Sequence, residues 1–200
     1  MRDTLGGSTM ATSAARRPHG KSPPPPPLTE PSELSAYADE HLVHEVSMLW
    51  LAAIQEPRTS DTPAATGDFI RNAQAEVFAL HLRNLIVFLY PEWFEPKRDD
   101  VCAHHFLDTP APYEDWLKHR PGLSTVLENA KRRADKELAH LTTARIAGTP
   151  EAKYWKVPAL LREIDQVLTV FAQRADPNRL GSEAQAAIAG MSECVRRLSS

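Results

Sequence analysis

The sequence is poor in cysteine, in glycine and in long apolar runs, and neither sign of charge dominates it. Its two cysteines, Cys102 and Cys194, lie far apart, and neither belongs to a Cys-x-x-Cys pair. A disulfide framework is therefore not expected, and a reducing cytoplasmic setting fits best. Eight glycines, none clustered behind a strand pattern, leave no phosphate-cradling loop. Gly-Leu-Ser-Thr at 122–125 lacks the surroundings of a nucleophile elbow. No window approaches the roughly 18–20 apolar residues of a membrane span. The most apolar window, LHLRNLIVFLY at 80–90, is interrupted by Arg83 and Asn84. Residues 1–28 hold no apolar core of signal-peptide length. The net charge of −3 argues against binding driven by bulk attraction to nucleic acid or to an anionic membrane. A local basic patch is still compatible with it. No membrane partner and no cofactor are expected.

Proline, in contrast, is abundant. Residues 1–32 form a Ser-, Gly-, Ala- and Pro-rich tail that includes five consecutive prolines, Pro23 to Pro27. Such a run favours extended polyproline II and cannot bury a core, so the tail reads as a disordered, solvated spacer. Residues 33–200 read as one domain. Its apolar residues recur at three-to-four spacing. Over 34–56 they are Leu34, Ala38, Leu42, Val46, Leu49 and Ala53. Over 64–90 the stripe reads Ile70, Ala73, Val77, Leu80, Asn84, Val87 and stops at Tyr90-Pro91. Over 122–146 it holds Leu123, Leu127, Ala130, Ala134, Leu138 and Leu141. Over 158–174 it holds Leu160, Leu161, Ile164, Leu168 and Phe171, and over 182–198 Ala184, Ala187, Ile188, Met191, Val195 and Leu198. Residues 91–121 carry five prolines and allow only short helical turns, near 101–106 and 113–119. No stretch alternates with period two and no repeat is visible. The expected fold is all-α, an up-and-down bundle of four to five helices.

Two places break the apolar pattern. Asn84 falls on the stripe of its helix, with His81 three residues before it and Arg83 beside it. These three are candidates for lining a polar groove between helices, or else form a satisfied structural network. The second place is RADKELAHLTTAR at 133–145. Seven residues turn a helix by about 700°, so Arg133 and His140 lie within about 20° of each other, two turns apart. Lys136 falls on the same stripe, and Arg145 follows beyond it. A column of arginine, lysine and histidine is a candidate anion site, with His140 suited to proton exchange and Arg133 to two-point contact with phosphate.

ADKELAHL after an arginine resembles the sequence around the RNA-cleaving motif of the HEPN superfamily, and FALHLRNLIVFLY together with ADKELAHLTTAR resembles a group of uncharacterised bacterial helical proteins, over about residues 34–174. The HEPN motif is an arginine, a polar residue and then a histidine after four to six intervening residues. Here six separate Arg133 from His140, and Ala134 stands where Asn, Asp or His is usual. The resemblance implies a small helical bundle, a metal-independent endoribonuclease of toxin type, a homodimer, RNA as substrate and an antitoxin protein as partner. It assigns proton transfer to His140 and charge neutralisation to Arg133, while His81, Arg83, Asn84, Lys136 and Arg145 would bind substrate. The rival expectation is a non-catalytic bundle that binds a protein partner or dimerises.

Other constellations carry less. Glu137 and His140 make one Glu-x-x-His, but a di-iron bundle needs two, and no second occurs. Asp99, Asp100, Cys102, His104 and His105 are dense in ligand types, and His41 and His44 sit three apart. They are read as a polar loop with surface histidines, and no metal is assigned to them. Trp93, Phe94, Phe106, Trp116 and Trp155 are read as clamps of loops onto the bundle.

Overall fold

The structure is a computed structural model that describes residues 28–54, 64–93, 99–138 and 154–198, with backbone alone for 64–68, Glu137 and Leu198. Among the described residues there is no strand, so the fold is all-α as expected. Helix α1, Pro31–Tyr37, starts with proline at its first position, where the missing N–H is no loss. A π-helical turn, Ala38–Leu42, leads without a break into α2, Val43–Ile54. The apolar spacing explains that turn. Leu34, Ala38, Leu42 and Val46 recur every four residues and are all buried. On a regular helix each such step drifts by about 40°. A wider turn takes up the drift and keeps all four on the core.

Helix α3, Ala64–Leu89, ends before the short 3₁₀ turn Pro91–Trp93. A 3₁₀ turn at Ala103–Phe106 and the short α4, Pro112–His119, fill the proline-rich middle. Helix α5 spans Thr125–Leu138, α6 Val157–Arg174, α7 Pro177–Leu180 and α8 Ser182–Leu198. The long helices pack in order: α2 on α3, α3 on α5, α5 on α6, α6 on α8, and α8 back on α2. Each buries its stripe toward a common core. At one end of that core Phe106 and Phe171 meet edge to face with Phe88 and Trp116, ring centroids 5.2–6.0 Å apart.

Helix α3 departs from the expected stripe. Its core face is Phe78, Leu82, Leu85, Ile86 and Leu89, one residue out of phase with Val77, Leu80, Asn84 and Val87. Leu80 is 44% exposed and Ile70 37%. The face that wins is the bulkier one. It buries five large side chains, where the expected stripe included Ala73 and the amide of Asn84. Of the aromatic clamps, Phe106 and Trp116 are fully buried and Trp155 packs against the core, whereas Trp93 is 58% exposed. Phe94 lies outside the described residues. Trp116 fixes α4 by donating its indole N–H to the Leu89 carbonyl at 2.7 Å. The next carbonyls in that corner are tied through Tyr90, whose hydroxyl donates to the Pro121 carbonyl at 3.1 Å under the Arg120 guanidinium.

Candidate functional site

The polar residues that interrupt the apolar pattern converge where α2, α3 and α5 meet. His81 is buried on α3 and its Nδ1 lies 2.8 Å from Glu45 Oε2 on α2. With Glu45 ionised, the imidazole donates. The His44 ring stands edge-on to His81 at 5.3 Å. Asn84, one turn further, donates from Nδ2 to both oxygens of the same carboxylate at 3.2 and 3.3 Å. Its Oδ1 accepts from an Arg83 terminal nitrogen at 3.3 Å. The amide is thus satisfied on both sides at the rim of the core, which removes the cost of an orphaned polar group.

Arg83 reaches the other way, to α5. Its Nε donates to Asp135 Oδ1 at 2.6 Å, and Lys131 Nζ donates to Asp135 Oδ2 at 2.6 Å. Burial pushes the Asp135 carboxyl up, but these two hydrogen bonds and the charges behind them outweigh it and hold the group below the usual carboxylate value. Glu45, His81, Asn84, Arg83, Asp135 and Lys131 therefore form one continuous chain of bonds across three helices.

Arg133 lies on α5 two residues before Asp135, but it points elsewhere. Its Nη1 donates to the Tyr154 carbonyl at 3.1 Å, and its guanidinium lies over the Trp155 ring at 4.3 Å. Trp155 in turn packs edge-on against Phe78 at 6.4 Å. Lys136 is exposed. Ala134, at the place where the HEPN motif usually has a polar residue, is buried in the core, and Asp135 supplies the carboxylate next to it. His140 and Arg145 lie outside the described residues, and the two-turn column with them.

Beside this network a cleft of ≈ 430 Å³ opens between the π-helical turn, α3 and residues 99–102. Glu45, Arg83 and Asn84 form one side of it, Tyr37 and His41 another, and Asp99 and Asp100 a third. The Tyr37 and His41 rings are 4.7 Å apart. Burial pushes the Tyr37 phenol up, and the negative charge of Glu45 and the groups at Cys102 and Asp100 push it in the same direction. Among the described residues that line it, Glu45, Asp99 and Asp100 bring carboxylates and Arg83 a guanidinium.

The comparisons place no known protein on this geometry. The chain matches no protein-family model, no curated protein and no solved structure.

The histidine-rich loop differs from a surface loop. His104 and His105 are half-buried with their rings 4.2 Å apart, and Cys102 is buried beside them. Burial lowers the His104 pKa to about 4, with His105 adding to the effect, and burial also lowers His105. Burial raises the Cys102 thiol to about 11, helped by Asp100. His105 Nδ1 accepts the Cys102 backbone N–H at 3.1 Å, so its imidazole has a structural task. Among the described residues no three His, Cys, Asp or Glu side chains are placed to hold a metal ion. No described helix is long and apolar enough to cross a membrane.

Glu45 and Asp135 are the site residues that sequence reasoning missed. Each left a faint trace. Glu45 follows His41 by four residues and immediately precedes the core residue Val46, and Asp135 follows Lys131 by four.

Proposed function

We propose that the chain is a HEPN-like helical domain that cleaves RNA without a metal. The RNA's own 2′-hydroxyl attacks the adjacent phosphorus as the P–O5′ bond breaks, leaving a 2′,3′-cyclic phosphate; His140 takes the 2′-hydroxyl proton and delivers one to the departing 5′-oxygen, and Arg133 neutralises charge on the transition-state oxygens. One observation carries this reading. The described parts of the two segments on which the resemblance rests, 78–90 and 134–138, are separate in sequence yet are brought together by the packing of α3 on α5, bonded through Arg83 and Asp135. Stacking on Trp155 supports it further, because it holds the Arg133 guanidinium in a fixed orientation.

The test is direct. Purified full-length chain is incubated with single-stranded RNA in the presence of EDTA, and the product ends are analysed. Cleavage leaving 2′,3′-cyclic phosphate and 5′-hydroxyl ends, lost in His140→Ala and reduced at least about a hundredfold in Arg133→Ala, is the expected result. Intact RNA, or full cleavage by His140→Ala, overturns it.

A second reading, a non-catalytic module for a protein partner or a second copy, is favoured by a different observation. Leu51, Ile54, Phe69 and Ile70 expose 37–71% of their surface near the junction of α2 and α3. Apolar exposure of that kind is common at protein interfaces. Mass measurement in solution separates the two readings when combined with the RNA assay: association without cleavage favours the module.

A further inference from the structure

We propose that the outer groove between α6 and α8 is where two copies of this chain associate. Helix α8 runs back along α6, and Ser192 bonds both Asp165 and Thr169, one turn apart. These bonds set the level of one helix against the other. Asp165 and Arg196 line one end of the groove, Thr169 and Ser192 its middle, and Gln173 and Gln185 the other end. The groove encloses ≈ 730 Å³, and the short side chains of Ala172 and Ala189 leave it open. Neither helix carries a residue assigned to RNA cleavage, so the proposal stands apart from that reading. It also uses other helices than the exposed apolar residues at the junction of α2 and α3.

The hydrogen bonds decide what the Asp165 end can receive. Ser192 donates its one hydroxyl proton to Asp165 Oδ1 at 2.5 Å, so in the 3.3 Å contact with Thr169 it accepts. Both hydroxyl protons are thus spent inside the groove. Among the described residues the second carboxylate oxygen of Asp165 has no partner. This end therefore offers acceptors and a negative charge, and it suits a cationic donor. Arg196 lines the same end, yet within its own chain its guanidinium bonds Glu193. Glu193 also accepts from Arg197 Nε at 3.0 Å, and so keeps a partner when Arg196 turns away. The Arg196 side chain is 72% exposed, and an exposed pair of this kind contributes little, so the exchange costs little. A two-fold axis along the groove lays α6 of one copy on α8 of the other at the same level. Asp165 then meets Arg196 of the second copy, Gln173 meets Gln185 and Ala172 meets Ala189, and each contact is made twice. An axis across the helices would instead set α6 on α6, with Asp165 at the level of Gln173 and both charges unmatched. Charge thus selects the first arrangement.

The full chain is followed by sedimentation velocity over a concentration series, and by native mass spectrometry, which tells mixed pairs from like pairs. The parent is expected to form a dimer. Asp165→Arg sets arginine against arginine, and Arg196→Asp sets aspartate against aspartate. Each is expected to weaken association at least about tenfold. Mixed in equal amounts, the two variants are expected to recover a dimer with one chain of each, because every charged contact then joins opposite signs. Pairing within a single chain cannot give that result. Should thermal melts show that Asp165→Arg does not fold, Asp165→Asn takes its place; it retains an oxygen for Ser192 and is expected to weaken association severalfold. A parent that stays monomeric across the series overturns the proposal. So does a parent dimer that Arg196→Asp leaves intact, and so does a mixture of folded variants that stay apart. A dimer lost in Leu51→Asp but retained in Arg196→Asp lies on the α2–α3 patch and overturns it as well.

Discussion

Glu45 enters the polar cluster from α2 with one carboxylate serving two neighbours, His81 and Asn84. Its own side chain is 26% exposed, while that of His81 is 8% exposed. The more deeply buried partner is therefore the one that suffers when the pair is broken. Glu45→Ala leaves the His81 Nδ1 without its acceptor and the Asn84 amide without its carboxylate. The expected cost is about 1–3 kcal/mol of unfolding free energy, read from denaturant midpoints at neutral pH. Glu45→Gln retains the shape and one acceptor oxygen, and should cost less than the alanine variant. An alanine variant as stable as the parent would mean that the histidine is not held through Glu45. The same logic shows how far the site could be read from the residues alone. Arg83 and Asn84 stood out because they interrupt an apolar run. Their partners did not, because Asp135 lies 52 residues from Arg83 and Glu45 lies 39 from Asn84. Nothing local to either stretch pairs them, and only the packing of α3 against both α2 and α5 does.

At the level of elements, the helices that were plain in the sequence are those with one apolar face. Helices α6 and α8 match their expected spans within a residue, and Leu160, Leu161, Ile164, Leu168 and Phe171 are buried as their spacing requires. The phase of α3 was not legible, because it is apolar on two neighbouring faces and volume decides between them. The π-helical turn left only the unbroken four-residue spacing of Leu34, Ala38, Leu42 and Val46 as a sign. That turn also does a job at a distance. Asp39, within it, accepts the Ala184 backbone N–H at 3.0 Å and so caps the first turn of α8 with a negative charge. Gly181, between α7 and α8, makes the approach possible. Its φ is 77°, and a Cβ there would run into the Asp39 carboxylate. Gly181→Ala is expected to destabilise the protein by about 1–3 kcal/mol through both backbone strain and the displaced cap. Asp39→Ala should lose the cap alone, about 1 kcal/mol. If thermal melts show Gly181→Ala to be as stable as the parent, then the contact between the turn and α8 does not hold the two together.

For the whole molecule, the half-buried pair His104 and His105 sets how stability responds to acid. His104 has its pKa lowered to about 4 by burial and by the adjacent His105, and His105 is lowered by burial as well. In the unfolded chain each returns to the ordinary histidine value of about 6.5. Between these limits the unfolded chain binds protons that the folded chain refuses. Stability is therefore full above pH 6.5 and falls as the pH drops toward 4. The Asp135 carboxyl, held low by Lys131 and Arg83, adds a second loss at still lower pH, as its ion pairs are protonated away. The melting temperature is accordingly expected to be flat above about pH 7 and to decline between 6.5 and 4. The Nδ1 atom of His104 is buried without a hydrogen-bond partner, and its ring stands edge-on to Tyr113 at 5.3 Å. His104→Phe therefore retains the ring contact and gives up no bond at that atom. Melts of the parent and of His104→Phe across this range separate the contributions: the variant should lose clearly less stability between pH 6.5 and 4.5 while matching or exceeding the parent at pH 7.5. Parallel curves for the two proteins would place the acid sensitivity elsewhere in the bundle and remove His104 as its source.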